Sequence, residues 1–316
     1  MKRGLLYLMI CLGGSAVAQT GMHFSQYIFN SQTINPAYFN HRSPISAQVT
    51  SRVQWMNYKG VPNTHAAMGQ YNIGDHHTVG LVAVNDNIAN NNTFQISGSY
   101  GYRLNLGKRA QLAFGARVGY GNQTMNVKGY LNDTYDPVLY SRRSVHHFSI
   151  GAGIYAAGDR FFVGVSAPNL FNNGLAEKGI VTDLDRGTYH LIGGVKVAQT
   201  KKFMFYPTMA FSLTPNTPLY ASMDLNFMVN NGLWLTTGVN SNIGVMAGIG
   251  YLFDNGLRFL YNYGFSFGAY NKFGGGTHEI TIGYSKDLFR PEFSKRRYTN
   301  GKGELKSYRK QKRRYK

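Results

Sequence analysis

The chain alternates between apolar and polar residues in many short segments. In the segment 94–106, aromatic and aliphatic residues fall on one parity, whereas Gln, Ser, Arg and Asn fall on the other. A period of two predicts a β-strand with two unlike faces. Repeated segments of about ten residues, aromatic near their ends, are typical of transmembrane β-barrels whose outer face contacts lipid. A secreted array of β-sandwiches is the alternative interpretation.

The predicted fold class is all-β, a transmembrane antiparallel β-barrel of about 14 strands. The alternation predicts these strands near 46–55, 64–73, 77–86, 92–106, 109–122, 145–156, 160–167, 187–199, 202–213, 218–229, 232–241, 243–253, 256–266 and 277–289.

The connections between these segments are of two kinds. Links after even-numbered strands are tight and carry Gly-Asp, Gly-Lys or Asn-Gly pairs, which supply the positive φ angles of short hairpins. Several links after odd-numbered strands are long, above all 123–144 and 168–186. Outer-membrane barrels place short turns in the periplasm and long loops outside. An even strand number therefore predicts that both termini lie in the periplasm.

The same alternation predicts which charged residues face the lumen. An arginine facing hydrocarbon would cost roughly 2–4 kcal/mol near the bilayer midplane. We therefore expect Arg103, Arg117, Lys196 and Glu279 to point inward. Fourteen strands enclose more space than wall side chains fill, so water, folded-in loops or the segment before the first strand must occupy the lumen. The pattern does not distinguish these three.

Residues 1–18 have the features of an export signal. Lys2 and Arg3 precede a short apolar run, and Ala16-Val17-Ala18 forms a small-residue cleavage site, so we expect the mature chain to start at Gln19. The only cysteine, Cys11, lies inside this signal, which leaves the mature chain without disulfide or thiol chemistry. No other apolar stretch is long enough to predict a transmembrane helix.

Composition agrees with a barrel, and the charge is concentrated at one end. The chain has 38 Gly, 23 Tyr and 20 Phe, and only 15% of its residues are charged. Of the net charge of +19, more than half lies in residues 290–316. This tail has few apolar residues and is predicted to be disordered in isolation.

The tail has two interpretations. It is either a solvated extension or an electrostatic clamp on an acidic periplasmic partner or the anionic cell envelope. An exported protein has no access to nucleic acid, so we expect none as a partner. The basic candidates for partner binding are Lys295, Arg296, Arg297, Arg309, Lys310, Lys312, Arg313 and Arg314.

No pattern in the chain predicts an enzyme, a metal site or a cofactor. His76-His77 and His146-His147 are adjacent pairs, and adjacent residues of a strand point to opposite faces, so neither pair can chelate one ion. The run 274–276 of three glycines lacks the helix and lysine of a phosphate loop. A Gly-x-Ser-x-Gly elbow is also missing.

The region before and after the first strand carries a set of ordered motifs. Residues 24–30 read Phe-Ser-Gln-Tyr-Ile-Phe-Asn, and 35–38 read Asn-Pro-Ala-Tyr. The chain here resembles the PorP/SprF family of Bacteroidetes outer-membrane proteins, although 39–41 reads Phe-Asn-His where many members have a small Ala-Gly turn. After the first strand the family motif continues at Arg52, Gln54, Trp55, Pro62 and Thr64.

The resemblance implies a role in the type IX secretion system. It implies assembly of the machine or delivery of cargo such as surface adhesins, which support gliding motility in gliding species. The implied partners are periplasmic ring or motor-linked components and a secreted cargo protein, besides outer-membrane lipid. The family offers no catalytic residues. A passive outer-membrane porin or transporter is the alternative function.

The predicted organisation is a signal peptide (1–18), an opening segment (19–45), the barrel (46–289) and the basic tail (290–316). The opening segment is expected either to plug the barrel or to form a docking surface at its periplasmic rim. Its candidate partner-binding residues are Phe24, Gln26, Tyr27, Phe29, Asn35, Pro36 and Tyr38.

Overall fold

Antiparallel strands close into a single barrel in a computed structural model of the chain. The structure describes residues 24–40, 43–56, 60–107, 110–126, 142–174, 187–200, 202–215, 217–241, 244–265 and 275–285. One short helix, α1 (Ser31–Ile34), precedes the strands. The strands are β1 (Ile45–Gln54), β2 (Asn63–Ile73), β3 (His77–Ile88), β4 (Asn91–Leu106), β5 (Ala110–Asn126), β6 (Arg142–Gly158), β7 (Phe161–Gly174), β8 (Tyr189–Val195), β9 (Ala198–Gln199), β10 (Phe203–Leu213), β11 (Tyr220–Val229), β12 (Leu233–Asn240), β13 (Gly244–Leu252), β14 (Leu257–Phe265) and β15 (Thr277–Ser285).

The barrel closes where β15 pairs with β1, for example Glu279 with Arg52. Segments β8 and β9 pair in succession with β10, so they are two parts of one wall strand. The prediction of a fourteen-strand antiparallel barrel is therefore confirmed. The predicted strand 187–199 is broken at Lys196 and Val197, where its register with β10 shifts by one residue, so that Val197 and Ala198 both lie opposite Phe205.

Two of the predicted long loops are shorter than expected. Strand β5 continues to Asn126, β6 begins at Arg142, and β7 continues to Gly174, so parts of 123–144 and 168–186 are strand. These extensions are rich in Asn, Gln and Thr, which break the apolar alternation but still pair along the ladder. Backbone pairing does not require an apolar alternation, so the strands continue past the residues where the alternation ends.

The two ends of the barrel differ in their connections. The short-turn rim carries the turns 74–76, 107–109, 159–160, 200–202, 230–232 and 253–256. The long-loop rim carries the connections 55–62, 89–90, 127–141, 175–188, 214–219, 241–243 and 266–276. The contrast is incomplete, because β3 and β4 are joined at the long-loop rim by only Ala89 and Asn90.

The outer and inner faces differ as the alternation predicts. Outward side chains such as Val118 (65% exposed) and Phe148 (59%) are apolar. Arg103, Arg117 and Glu279 are buried inside the barrel, which confirms their predicted orientation. Lys196 is half-buried and lines a cavity at the short-turn rim. In the described part of the chain, no helix is long and apolar enough to cross a bilayer.

Candidate functional site

The lumen is occupied by residues 24–40, called the plug below. Most of its side chains are buried, including Tyr27 (4% exposed) and Asn35 (0%). Phe24 packs in a cluster with Ala66 and Val84 on β2 and β3. At the other end, the Asn40 side chain donates a hydrogen bond to the Ser285 hydroxyl at the short-turn rim. The plug therefore runs from inside the barrel to the rim where β1 begins.

Local side-chain bonds explain the irregular shape of the plug. The Asn30 amide donates to the carbonyl of Gln26 at 3.1 Å, and the Ser31 hydroxyl donates to that of Tyr27 at 2.9 Å. Such bonds compete with regular secondary structure. Since the residue before a proline disfavours helical geometry, α1 ends just before Pro36, with Asn35 extended.

A buried carboxylate holds the start of the plug. Glu279 on β15 accepts hydrogen bonds from the backbone N–H groups of Ser25 (2.7 Å) and Gln26 (2.9 Å). Arg52 lies directly opposite Glu279 in the β1–β15 ladder. Two N–H donors and a facing guanidinium offset the desolvation cost of this charge.

A buried guanidinium holds the end of α1. Arg117 on β5 donates to the backbone carbonyls of Thr33 (2.8 Å) and Gln32. The Ser166 hydroxyl on β7 donates to the next carbonyl, that of Ile34, at 2.7 Å. The last carbonyls of a helix have no partner within the helix, so the wall supplies their donors. The wall thus binds backbone groups at the start and in the middle of the plug.

Apolar side chains of the wall pack against the plug's aromatic residues. The Phe29 ring meets Trp234 of β12 edge-on, with 5.1 Å between ring centroids. The Tyr38 ring meets Tyr155 of β6 in the same way at 5.5 Å. Edge-to-face pairs of this kind add about 0.5–1.5 kcal/mol beyond the area that they bury.

Other contacts of the plug are polar. Thr50 on β1 donates to the side-chain oxygen of Asn30 at 2.9 Å and lies 2.9 Å from Thr281. The Tyr27 hydroxyl donates to Thr208 at 2.8 Å, and burial together with nearby Asp224 raises the pKa of Tyr27, which keeps this hydroxyl protonated. The plug thus contacts both apolar and polar side chains of the wall.

Glycines of the wall make room for the plug. A Cβ at Gly115 would overlap the backbone of Pro36 and Ala37. Gly153 and Gly164 lie against the side chain of Asn35 in the same way. The alternation indicated only that inward positions of these strands are small, so the role of each glycine in contacting the plug was not predictable from it.

The motif residues after the plug meet at the long-loop rim. The N–H of Gln54 donates to the Pro62 carbonyl at 2.9 Å, and the N–H of Trp55 donates to Gly276 at 2.7 Å. The Thr64 hydroxyl donates to Asp86 at 2.6 Å. Together these bonds join the ends of β1, β2, β3 and β15. Trp55 has a φ of 52°, a conformation that costs energy for a residue other than glycine.

The structure does not bring the candidate binding residues into one exposed site. Phe24, Gln26, Tyr27, Phe29 and Asn35 are all buried, so the docking-surface interpretation of these side chains does not describe this structure. Pro36 is also buried, and Tyr38 is half-buried beside the cavity at the short-turn rim. The eight basic candidates of the tail lie outside the described residues.

Histidines and carboxylates do not gather into a metal centre in the described ranges. His146 is exposed and His147 buried, as expected for neighbours on one strand. His190 contacts the Ser212 hydroxyl at 2.6 Å inside the wall.

A closed antiparallel barrel with an apolar outer face and a charged, occupied lumen defines an integral outer-membrane protein. The family model for type IX secretion system membrane proteins PorP/SprF matches residues 16–284. The chain therefore belongs to the PorP/SprF family, which makes it a membrane component of type IX secretion. No curated protein matches the chain.

Several solved outer-membrane barrels resemble the chain weakly. Omp33 of Acinetobacter baumannii has 11% identity and a TM-score of 0.44, covering 78% of this chain and 100% of that protein. The toluene transporter TodX of Pseudomonas putida has 8% identity and a TM-score of 0.44, over 84% of this chain and 95% of TodX. The NalP translocator domain of Neisseria meningitidis has 15% identity and a TM-score of 0.43, over 80% of this chain and 91% of that domain. The assignment of the fold rests on the strand pairing rather than on these similarities.

Proposed function

We propose that this protein is a binding and assembly component of the type IX secretion system. In this proposal the barrel anchors it in the outer membrane, and the short-turn rim faces the periplasm. That rim and the basic tail bind ring or motor-linked components or an arriving cargo protein. Delivery of cargo such as surface adhesins would depend on this contact. Gliding motility would depend on it too, in a gliding organism. The opening residues remain candidate binding residues only if the plug leaves the lumen.

The observation that favours assembly over a passive porin is the occupied lumen. A porin needs a continuous water-filled path, whereas here Glu279 and Arg117 hold the plug across the barrel. A protein that presents its rim to partners needs no such path. The passive porin or transporter remains the alternative function.

Charge supports the choice of partner. Residues 290–316 contain twelve Lys or Arg and two acidic residues, and they follow β15, which ends at the short-turn rim. A basic segment of this kind attracts an acidic surface over about a Debye length, some 10 Å at 0.1 M salt.

The test is a deletion strain complemented with chosen variants. We expect loss of type IX cargo secretion without the protein and recovery with the wild type. Crosslinking with mass spectrometry in the native envelope should join the short-turn rim to periplasmic components of the machine. Normal secretion in the deletion strain would overturn the proposal.

The tail is tested separately. Deleting residues 290–316 should leave the barrel folded but abolish salt-sensitive capture of periplasmic components. A matched control keeps the tail length and replaces its eight candidate basic residues with Gln. If the neutral tail captures the same components, the tail is a solvated extension and the rim alone binds.

A further inference from the structure

We infer that the lumen is a latent anion-selective pore, closed reversibly by the plug. This inference is independent of the secretion role, because it concerns the lumen rather than the rim. It rests on the chemistry of the wall behind the plug, the distribution of its charges and the bonds that hold the plug.

The polar side chains of the inner wall suit water as well as they suit the plug. A permanently buried surface is normally apolar, because buried polar groups are costly unless fully paired. Here much of the buried inner surface is hydrophilic and would hydrate readily if the plug moved. Its polar members include Gln48, Thr50, Arg52, Arg117, Ser166, Thr208, Asn226, Arg258, Asn262 and Thr281.

The boundary between plug and wall is imperfectly paired. Gln26 Oε1, Asn262 Nδ2 and Arg258 Nη1 are buried without a hydrogen-bond partner among the described residues. Gln26 and Asn262 line the same small cavity between the plug and strands β11–β14. Each such group costs about 1–3 kcal/mol when dry, so water entering the boundary recovers part of the energy lost when the plug leaves.

A few charge-assisted bonds hold the plug. Glu279 accepts two backbone N–H groups of the plug, and Arg117 donates to two of its backbone carbonyls. Both groups bind backbone rather than side chains, and both would bind water equally well after release. They therefore act as a latch for the plug.

The charges exposed by release would favour anions. Arg103 and Arg258 lie beside the short-turn rim, and Arg117 lies further inside; their described hydrogen bonds go to carbonyl oxygens of the backbone or of Gln48. Most inward carboxylates lie elsewhere: Glu279 and Asp86 lie near Arg52 towards the long-loop rim, and Asp224 lies on β11. Asp75, in the turn after β2, is the carboxylate near Arg103. Arg117 and Arg258 then remain as positive groups in a low-dielectric wall, and such groups favour anions.

The experiment measures current through the full-length protein in planar bilayers. Wild type should conduct rarely. The latch variant R117Q/E279Q should raise the open time by about tenfold or more, because losing a charge-assisted hydrogen bond shifts an equilibrium by at least that factor. In a KCl gradient its reversal potential should indicate chloride preference. Heat-modifiable migration on gels verifies that each variant barrel is folded.

A reversible lock tests the plug directly. Asn30→Cys with Thr50→Cys joins the plug to β1 where their side chains already bond, in a C11A background. When the cysteine pair is added to the latch variant, oxidation should close the pore and reduction should reopen it. Adding R103Q/R258Q to the latch variant should move its reversal potential towards zero, while the pore still opens.

The outcomes separate cleanly. A folded latch variant that conducts no more than wild type, or that prefers cations, overturns the inference. So does a current that persists when mass spectrometry shows the 30–50 disulfide formed. If the disulfide does not form, the currents and reversal potentials of the latch variant and of its R103Q/R258Q derivative decide whether the inference holds. Loss of cargo secretion is scored separately and tests only the proposed function.

Discussion

The carboxylate of Glu279 accepts a hydrogen bond from the backbone N–H of Gln26 at 2.9 Å, across 253 positions of sequence. Glu279 belongs to the last strand, which completes the barrel by pairing with β1. The site that holds the start of the plug is therefore complete only after the barrel closes. Glu279 thus couples the plug to the closure of the wall, as the Asn40–Ser285 bond does at the other end of the plug.

Glu279→Gln should release the start of the plug without opening the wall. A neutral amide offers one oxygen instead of two and leaves Arg52 without its facing charge, at a cost of about 1.5–3 kcal/mol. Limited proteolysis of the purified protein should then cut within residues 24–40, while the barrel keeps its heat-modifiable migration. E177Q, a change in the 175–188 connection, is the matched control. Equal protection of both variants would show that Glu279 does not hold the plug.

Gly115→Ala should displace the middle of the plug, because the added Cβ overlaps the backbone of Pro36 and Ala37. Overpacking of this kind typically costs about 1–3 kcal/mol. Gly98→Ala on the neighbouring strand is the control, since a Cβ there meets no atom within 4 Å. Urea unfolding from lipid vesicles should show a lower stability for G115A alone. Equal stability of the two variants would argue that the plug does not press on β5.

Trp234 should report the position of the plug by its fluorescence. It is 2% exposed and packs on Phe29, and the chain has only one other tryptophan, Trp55. In a Trp55→Phe background we expect blue-shifted emission that moves to the red in F29A, as water replaces the ring. The Phe29→Ala change should also destabilise the plugged state by about 3–5 kcal/mol. Unchanged emission in F29A would mean that Trp234 is shielded without the plug.

Val118→Arg tests whether the outer face of β5 lies in lipid. Val118 is 65% exposed near the middle of the strand, where an arginine should cost roughly 2–4 kcal/mol in hydrocarbon. Leu106→Arg at the end of β4 is the matched control, because the cost falls to about 0–1 kcal/mol near the interface. Folding titrations into vesicles measure both. Equal costs at the two positions would contradict the membrane placement of the wall.

The wall strands of this protein could be predicted from the sequence. Residues that face lipid are apolar, whereas the alternate residues that face the lumen can be polar. That alternation predicted all fourteen wall strands, with most strand ends correct to within a few residues. It also predicted that Arg117 and Glu279 face the lumen. It failed at Lys196 and Val197, where the register with β10 shifts by one residue. It also ended β5 and β7 too early, before Gln123 and Pro168, because the residues that follow pair along the ladder without a regular alternation.

The content of the lumen was decided only by the tertiary structure. From the sequence, the lumen could contain water, folded-in loops or the opening segment. Residues 24–40 have no regular alternation of apolar and polar residues, so the pattern does not indicate what surrounds them. Their position follows from contacts between distant residues: Gln26 with Glu279, Ala37 with Gly115, and Phe29 with Trp234. A two-residue period records which solvent each face meets. It carries no information about which buried backbone groups a carboxylate or a guanidinium on that face will bind.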